Sequence, residues 1–372
     1  MTQTPEFDYI KFLQDIVKIV SCDPPGGELE VAKVVYSTLK SLGIEAQLDE
    51  FAPNRANVIG RIRGTGERPN FVFSSHMDTM PPGTGEWEHD PFSGKIIGDR
   101  LHGRGSTDMK SALSAMVAAA HNLKNEPLKG DIILAFTAGE SNNLLGARRF
   151  IEQGFNQEFG AFLCGEPSDL DLIIAEKASL WLRFISTGRI GHVSGDPGIN
   201  AIDQMNAFLT QLNALTIDEP EHDLLSPATV RVGTIRGGSA VNMTPDECVA
   251  EVDIRYRPGA DYHDIIKQVE GLIDGDIQIE LIDNKPAVER KPDDPFVVLC
   301  QQVCEKYTEN VAVKGVSYYS DASVLLEDLP IPFAIIGPGE LGLSGQINEW
   351  VSIEQVHLAV KIYTDIAREY LT

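Results

Sequence analysis

Three short apolar runs, "NFVFSSH", "DIILAFTAGE" and "AFLCGE", each end in a histidine or an acid, and helical stretches lie between them. Apolar runs of this kind suit strands buried on both faces, which requires a sheet covered by helices. In "LSAMVAAAHNL", Leu113, Met116, Val117 and Ala120 recur at i, i+3, i+4 and i+7, the stripe of a core-facing helix, with Ser106 or Thr107 placed to cap it. The pattern predicts an α/β domain with a central, mostly parallel sheet. In such sheets ligands bind beyond the carboxyl ends of the strands.

The texture changes near residue 179. "SLWLRFIS", "ATVRVGTI", "ECVAEVDIRY" and "IQIELI" read as strands, and "NAIDQMNAFLTQLNAL" and "YHDIIKQVEGLI" as helices. Their order, β-α-β-β-α-β, is that of a ferredoxin-like unit. Ala250, Val252, Ile254 and Tyr256 alternate with Glu251, Asp253, Arg255 and Arg257, so one face of that strand is buried and the other solvated. The α/β texture then resumes with "PFVVLCQQVCEKY", "PFAIIGPG" and a final helix from about residue 353. The expected organisation is a discontinuous first domain, 1–178 and 288–372, interrupted by an inserted domain over 179–287.

Lysine and arginine number 31 against 55 aspartates and glutamates, for a net charge of −24. A surface this acidic repels phosphate backbones and anionic lipid heads, which argues against nucleic acid or a membrane as partner. No run reaches the roughly 18 apolar residues of a spanning helix, and the N-terminal stretch lacks a basic segment followed by an apolar one. The expected location is cytoplasmic. Five cysteines at 22, 164, 248, 300 and 304 include no CxxC pair and read as free thiols.

The chemistry concentrates where the apolar runs end. His76 closes "FVFSSH", Glu140 follows "IILAFTAG", Glu166 follows "AFLCG", and Asp108 lies in "GRGSTDMKS" at the expected start of a helix, whose dipole favours its ionised form. One imidazole and several carboxylates suit a zinc-like ion with an open coordination position. Asp78, two residues beyond His76, is placed to accept the second ring N–H and fix the tautomer. Taken singly, each of these residues also reads as a helix cap or a turn residue.

The chain resembles the metallopeptidase M20 family of deacylases and aminopeptidases, which includes acetylornithine deacetylase, succinyl-diaminopimelate desuccinylase and carboxypeptidase G2. The likeness rests on "SSHMDTMPPG", "DPFSGKIIGDRLHGRGSTDMKS", "FTAGES", "CGEPSDL", "STGRIGHVSGDPGINAID", "GSAVNMTPDECVAEVDIRYRPG" and "GPGELGLSGQINEWV", in the family's order along nearly the whole chain. It implies a zinc-peptidase-like catalytic domain and an inserted lid that carries a homodimer interface. By the same resemblance His76 and Glu166 hold one metal, Asp108 bridges to a second, Asp78 orients His76 and Glu140 activates water. His192 reaches the neighbouring subunit's site, while Asn242 and Arg255 help bind substrate. The implied substrate is a small N-acyl amino acid or dipeptide.

The chain departs from the family pattern at two positions. The acid that normally follows the one matching Glu140 is replaced by Ser141, and the histidine of a stretch resembling "AHxPNE" is replaced by Gly345 within "SGQINE". Both ligands that belong to the second metal alone are therefore missing. A neutral hydroxyl is a poor zinc ligand and glycine offers no side chain. The expectation is one metal per chain, zinc with cobalt or manganese as alternatives, and retained hydrolysis. The alternative is an M20-like protein that binds an amino-acid derivative without hydrolysing it, or does altered chemistry on it.

Overall fold

The computed structural model describes residues 7–192, 194–327 and 329–372. The chain divides into two compact units. One runs to Ile174 and resumes over Arg290–Lys314 and Ser320–Thr372; the other comprises Ala175–Glu289 and Gly315–Tyr319. The chain thus leaves the first unit four residues earlier than the sequence suggests, and lends the second a short later segment.

In the first unit the strands Phe71–His76, Ile132–Thr137 and Ala161–Cys164 are buried at every residue. They run parallel with Phe333–Ile335 in the spatial order 132–137, 71–76, 161–164, 333–335. This parallel centre carries antiparallel strands on both sides, so the sheet is mixed rather than mostly parallel. Arg55–Ile62 pairs antiparallel with Ile132–Thr137, and Glu45–Ala52 pairs antiparallel with Arg55–Ile62. The last two are joined by a tight turn with Asn54 at φ 60°, and so short a link cannot make a parallel crossover. "EAQLDEFA" is too polar and too exposed to announce itself as a strand.

The helix Ser111–Leu123 packs against Ile353–Leu371, its apolar stripe fully buried. It starts later than its cap residues predicted. Ser106 and Thr107 lie in an irregular turn, Ser106–Lys110, and the Thr107 hydroxyl donates to the Trp350 carbonyl at 2.6 Å instead of capping. Asp108 belongs to the same turn, at φ −119° and ψ 96°, and so does not sit on a helix N-terminus.

The second unit holds a four-stranded antiparallel sheet in the order Thr229–Gly237, Glu247–Tyr256, Ala178–Thr187, Ile277–Lys285. Helices Ala201–Ala214 and Tyr262–Glu270 accompany it. Leu180, Leu182 and Phe184 pack with Met205, Phe208, Val252, Ile254 and Ile265 in one apolar core, as the alternation in the third strand requires. None of the five cysteines forms a disulfide. Among the described residues no helix is long and apolar enough to cross a membrane.

Candidate metal centre and its surroundings

His76 ends its strand, and in the parallel register it lies opposite Thr137, three residues before Glu140. Glu166 follows Ala161–Cys164 by two residues. Its backbone is approached so closely by Gly337 that a Cβ there would stand 2.2 Å from the Glu166 carbonyl oxygen, so only glycine lets the two segments meet. Three parallel strand ends therefore deliver His76, Glu140 and Glu166 to one edge of the sheet.

Asp108 joins them from its turn. His76 Nε2 lies 3.0 Å from Asp108 Oδ1 and 3.6 Å from Glu166 Oε1, and one donor atom from each of the three residues falls within 4.8 Å of the others. His76 is 4 % and Glu166 6 % exposed, so their charges are poorly solvated. Burial pulls the imidazole pKa down, but the carboxylates of Asp78, Glu166 and Asp108 outweigh it and raise it well above the usual value. Burial and the Asp108 charge raise the Glu166 carboxyl well above its ordinary range. Glu140 is raised in the same direction, first by burial and then by the Asp78 and Asp321 charges. Asp108 is lowered: burial works against the shift, and the His76 hydrogen bond overcomes it.

A buried crowd of acids around one imidazole is costly without a cation. One nitrogen and two carboxylate donors, all directed at the same small volume, match the donor types and number of a three-ligand zinc site with an open position. His76 Nδ1 faces the backbone carbonyl of Asp78 at 3.0 Å. A carbonyl only accepts, so Nδ1 carries a proton, and Nε2, whose own proton faces Asp108 when no ion is bound, is the nitrogen left to a metal. The sequence predicted that the Asp78 carboxylate would do this; its Oδ1 is 3.6 Å away, and the main chain does it instead.

The Asp78 carboxylate, fully buried, is occupied elsewhere. Its Oδ1 accepts the Glu140 N–H at 3.0 Å, and its Oδ2 accepts both the N–H and the hydroxyl of Ser141, at 3.1 and 2.9 Å. Asp78 thus holds the backbone that carries Glu140.

Four residues beyond the sequence-based set shape this edge. Glu349, fully buried, accepts the N–H groups of Thr107 and Asp108 at 2.9 and 3.1 Å and pairs with the buried Arg104. Arg104 also donates to the Gly345 carbonyl at 3.0 Å. The Ser344 hydroxyl donates to Asp108 Oδ2. Asp321, 2 % exposed, accepts the Thr137 hydroxyl, and burial pushes its carboxyl up to about 6. An acid within "YYSDAS" or "GQINEW" has no periodicity that marks it as buried, so only the long-range contacts reveal these groups.

Other acids and histidines of the chain, and the remaining expected site residues, have other partners. Asp169, three residues beyond Glu166, accepts from Gln355. His89 and His102 meet edge to face with ring centroids 5.2 Å apart, and His357 Nδ1 shares a hydrogen bond with the Tyr9 hydroxyl at 2.7 Å. In the second unit His192 and Asn242 come together, with Asn242 Nδ2 3.5 Å from His192 Nε2, across the short pairing that sets His192 opposite Met243. Arg255 is engaged by Asp253, which takes hydrogen bonds from both Nε and Nη2, and its Nη1 reaches the Ser317 carbonyl at 3.3 Å.

Residues 72–369 match the family model described as peptidase family M20/M25/M40. An acetylornithine deacetylase of Vibrio cholerae is 29% identical over 362 residues, covering 93% of this chain and 92% of its own. A protein of Staphylococcus epidermidis named "Probable succinyl-diaminopimelate desuccinylase" is 26% identical over 407 aligned positions spanning both chains entirely. Among solved structures, an M20 family metallo-carboxypeptidase from Sulfolobus solfataricus superposes with a TM-score of 0.81 at 17% identity, over 98% of this chain and 99% of its own. A dinuclear metal-binding peptidase of the M20 family from Bacillus subtilis gives 0.72 at 16% identity, over 98% and 97%. At such identities the structural likeness speaks for the fold.

Proposed function

This chain belongs to peptidase family M20/M25/M40 and is a metallohydrolase of amide bonds; on that premise we propose that it cleaves an N-acyl amino acid or small peptide using a single metal ion. The observation that carries this reading is the convergence of His76 Nε2, Asp108 and Glu166 within 4.8 Å, with Glu140 held beside them through Asp78. Zinc suits the donors, with cobalt or manganese as alternatives.

His76, Asp108 and Glu166 would hold the ion. When bound, it supplies Lewis acidity toward the scissile carbonyl and a more acidic water, with a pKa near about 7. Glu140 is the general base. Burial raises its carboxyl, which makes the carboxylate a stronger proton acceptor than an exposed one, suited to take a proton from water and pass it to the leaving amine. The Glu140 N–H to Asp78 bond fixes where that carboxyl starts from.

The second unit serves as a lid and dimerisation domain in this reading. His192, backed by Asn242, steadies the substrate carbonyl in the neighbouring subunit's site. Arg255 contributes to a substrate carboxylate through the N–H groups that Asp253 and the Ser317 carbonyl leave over.

The test is metal content per chain after zinc reconstitution and removal of loosely bound ions, followed by turnover of N-acetyl amino acids and dipeptides. One zinc per chain with hydrolysis is expected, and Glu140→Gln should keep the zinc and lose about 10²–10⁴-fold in turnover. Retained zinc without any hydrolysis would favour the binding alternative.

A further inference from the structure

Ser344 immediately precedes Gly345, the position where the family pattern carries a second-site histidine. Its hydroxyl donates to Asp108 Oδ2, while Asp108 Oδ1 is the oxygen that faces His76 Nε2 at 3.0 Å. Among the described residues no other side chain donates to Oδ2. A carboxylate that bridges two cations must offer a lone pair on each side. Here one side is turned to the His76 and Glu166 donors and the other is taken by a neutral hydroxyl.

We infer that Ser344 is a positioning residue that fixes Asp108 as a one-sided metal ligand, its hydroxyl standing where a bridging carboxylate would meet a second cation. The inference rests on the one-metal reading above and names the hydroxyl that takes Asp108 Oδ2 while no second-site ligands draw a cation there. A carboxylate swings easily about its terminal torsion, which is broad, so without a fixed donor the Asp108 plane could turn its oxygen off the line to His76 Nε2. A hydroxyl donating to an ionised carboxylate is a strong, short bond and holds that plane.

The segment bearing Ser344 is anchored independently of this bond. Arg104 holds the Gly345 carbonyl, Glu349 accepts the Thr107 and Asp108 N–H groups, and Thr107 donates to the Trp350 carbonyl. Ser344 is partly exposed, so its truncation opens no buried cavity. Removing the hydroxyl therefore frees the Asp108 carboxylate while leaving the loop in place. Ser141 follows the same logic on the other side of the site, where its proton goes to Asp78 Oδ2.

The experiment compares wild type, Ser344→Ala and Ser344→Thr by equilibrium dialysis against buffered zinc, with competition by a chromophoric chelator for Kd and the visible absorption of the cobalt-substituted proteins. Wild type should hold one zinc, Ser344→Ala should raise Kd by about 10–100-fold and shift the cobalt bands, and Ser344→Thr should restore both. One zinc in wild type with the same Kd and cobalt spectrum in Ser344→Ala would overturn the role of Ser344 alone. A loss in Ser344→Ala that threonine does not recover would also count against it. Two tightly held zinc ions in wild type would instead overturn the one-metal reading beneath it.

Discussion

Ser141 donates twice to one oxygen: its N–H and its hydroxyl both reach Asp78 Oδ2, at 3.1 and 2.9 Å. The serine beside the candidate base is thus a tie between the Glu140 backbone and a fully buried carboxylate. Ser141→Ala keeps the N–H bond and deletes the hydroxyl. A net loss near 1 kcal/mol, typical for one hydrogen bond, should lower kcat/KM about fivefold on any substrate that wild type hydrolyses, with zinc content unchanged. Unaltered steady-state kinetics would reduce the bond to a structural one.

Restoring an acid and an imidazole should rebuild a second site. Ser141→Glu combined with Gly345→His is expected to raise zinc from one toward two per chain, measured by plasma mass spectrometry. Gly345 has φ 69°, and nothing lies within 4 Å of where its Cβ would be, so the ring has room but the backbone is strained. A left-handed L-residue costs about 1–2 kcal/mol, so the metal-free double variant should unfold at lower urea than wild type. A ratio that stays at one would reject the idea that these two positions emptied the site.

If His192 works across a dimer, chains carrying His192→Ala and chains carrying Glu140→Gln fail for different reasons. Mixed dimers would then contain one site with both groups intact. Co-refolding the two inactive variants should recover up to about half of the activity per mixed dimer, since one of its two sites is complete. No recovery when mass spectrometry shows heterodimers would place His192 outside the shared site.

Glu28 gives the folded chain a pH signature of its own. It is fully buried with Asp23 and Asp78, donor atoms within 4.8 Å of one another, and Arg55 supplies the cation, bonded to Asp23 at 2.8 and 3.1 Å and to Glu28 at 3.1 Å. Burial first, and the Asp78 charge next, push the Glu28 carboxyl up to about 7 from 4.5. The folded chain therefore holds this proton more tightly than the unfolded chain. Its contribution to stability is complete below about 4.5 and is lost as pH rises through about 7. A shift of this size is worth about 3 kcal/mol. In urea unfolding of the metal-free protein, Glu28→Gln should gain on wild type across that window. A difference that does not vary with pH would refute the shift.

The chain's local chemistry determined which segments could be central strands and where the reactive groups would emerge. "FVFSSH", "IILAFT" and "AFLC" open on unbroken apolar residues, so they had to be buried on both faces, and the polar residues that close or follow each run had to lie toward a sheet edge. The alternation in "ECVAEVDIRY" likewise marked a sheet with one solvated face. Tertiary structure decided what no window of residues encodes. It turned the polar hairpin 45–62 antiparallel, and it moved Asp108 from a helix start to an irregular turn. It also gave the tautomer of His76 to a backbone carbonyl rather than to the Asp78 side chain. Above all, it brought Ser344 and Glu349 onto Asp108 across more than 230 residues of chain. A hydroxyl or an acid in a loop carries no periodicity, and only closure of the fold determines which charge it will meet.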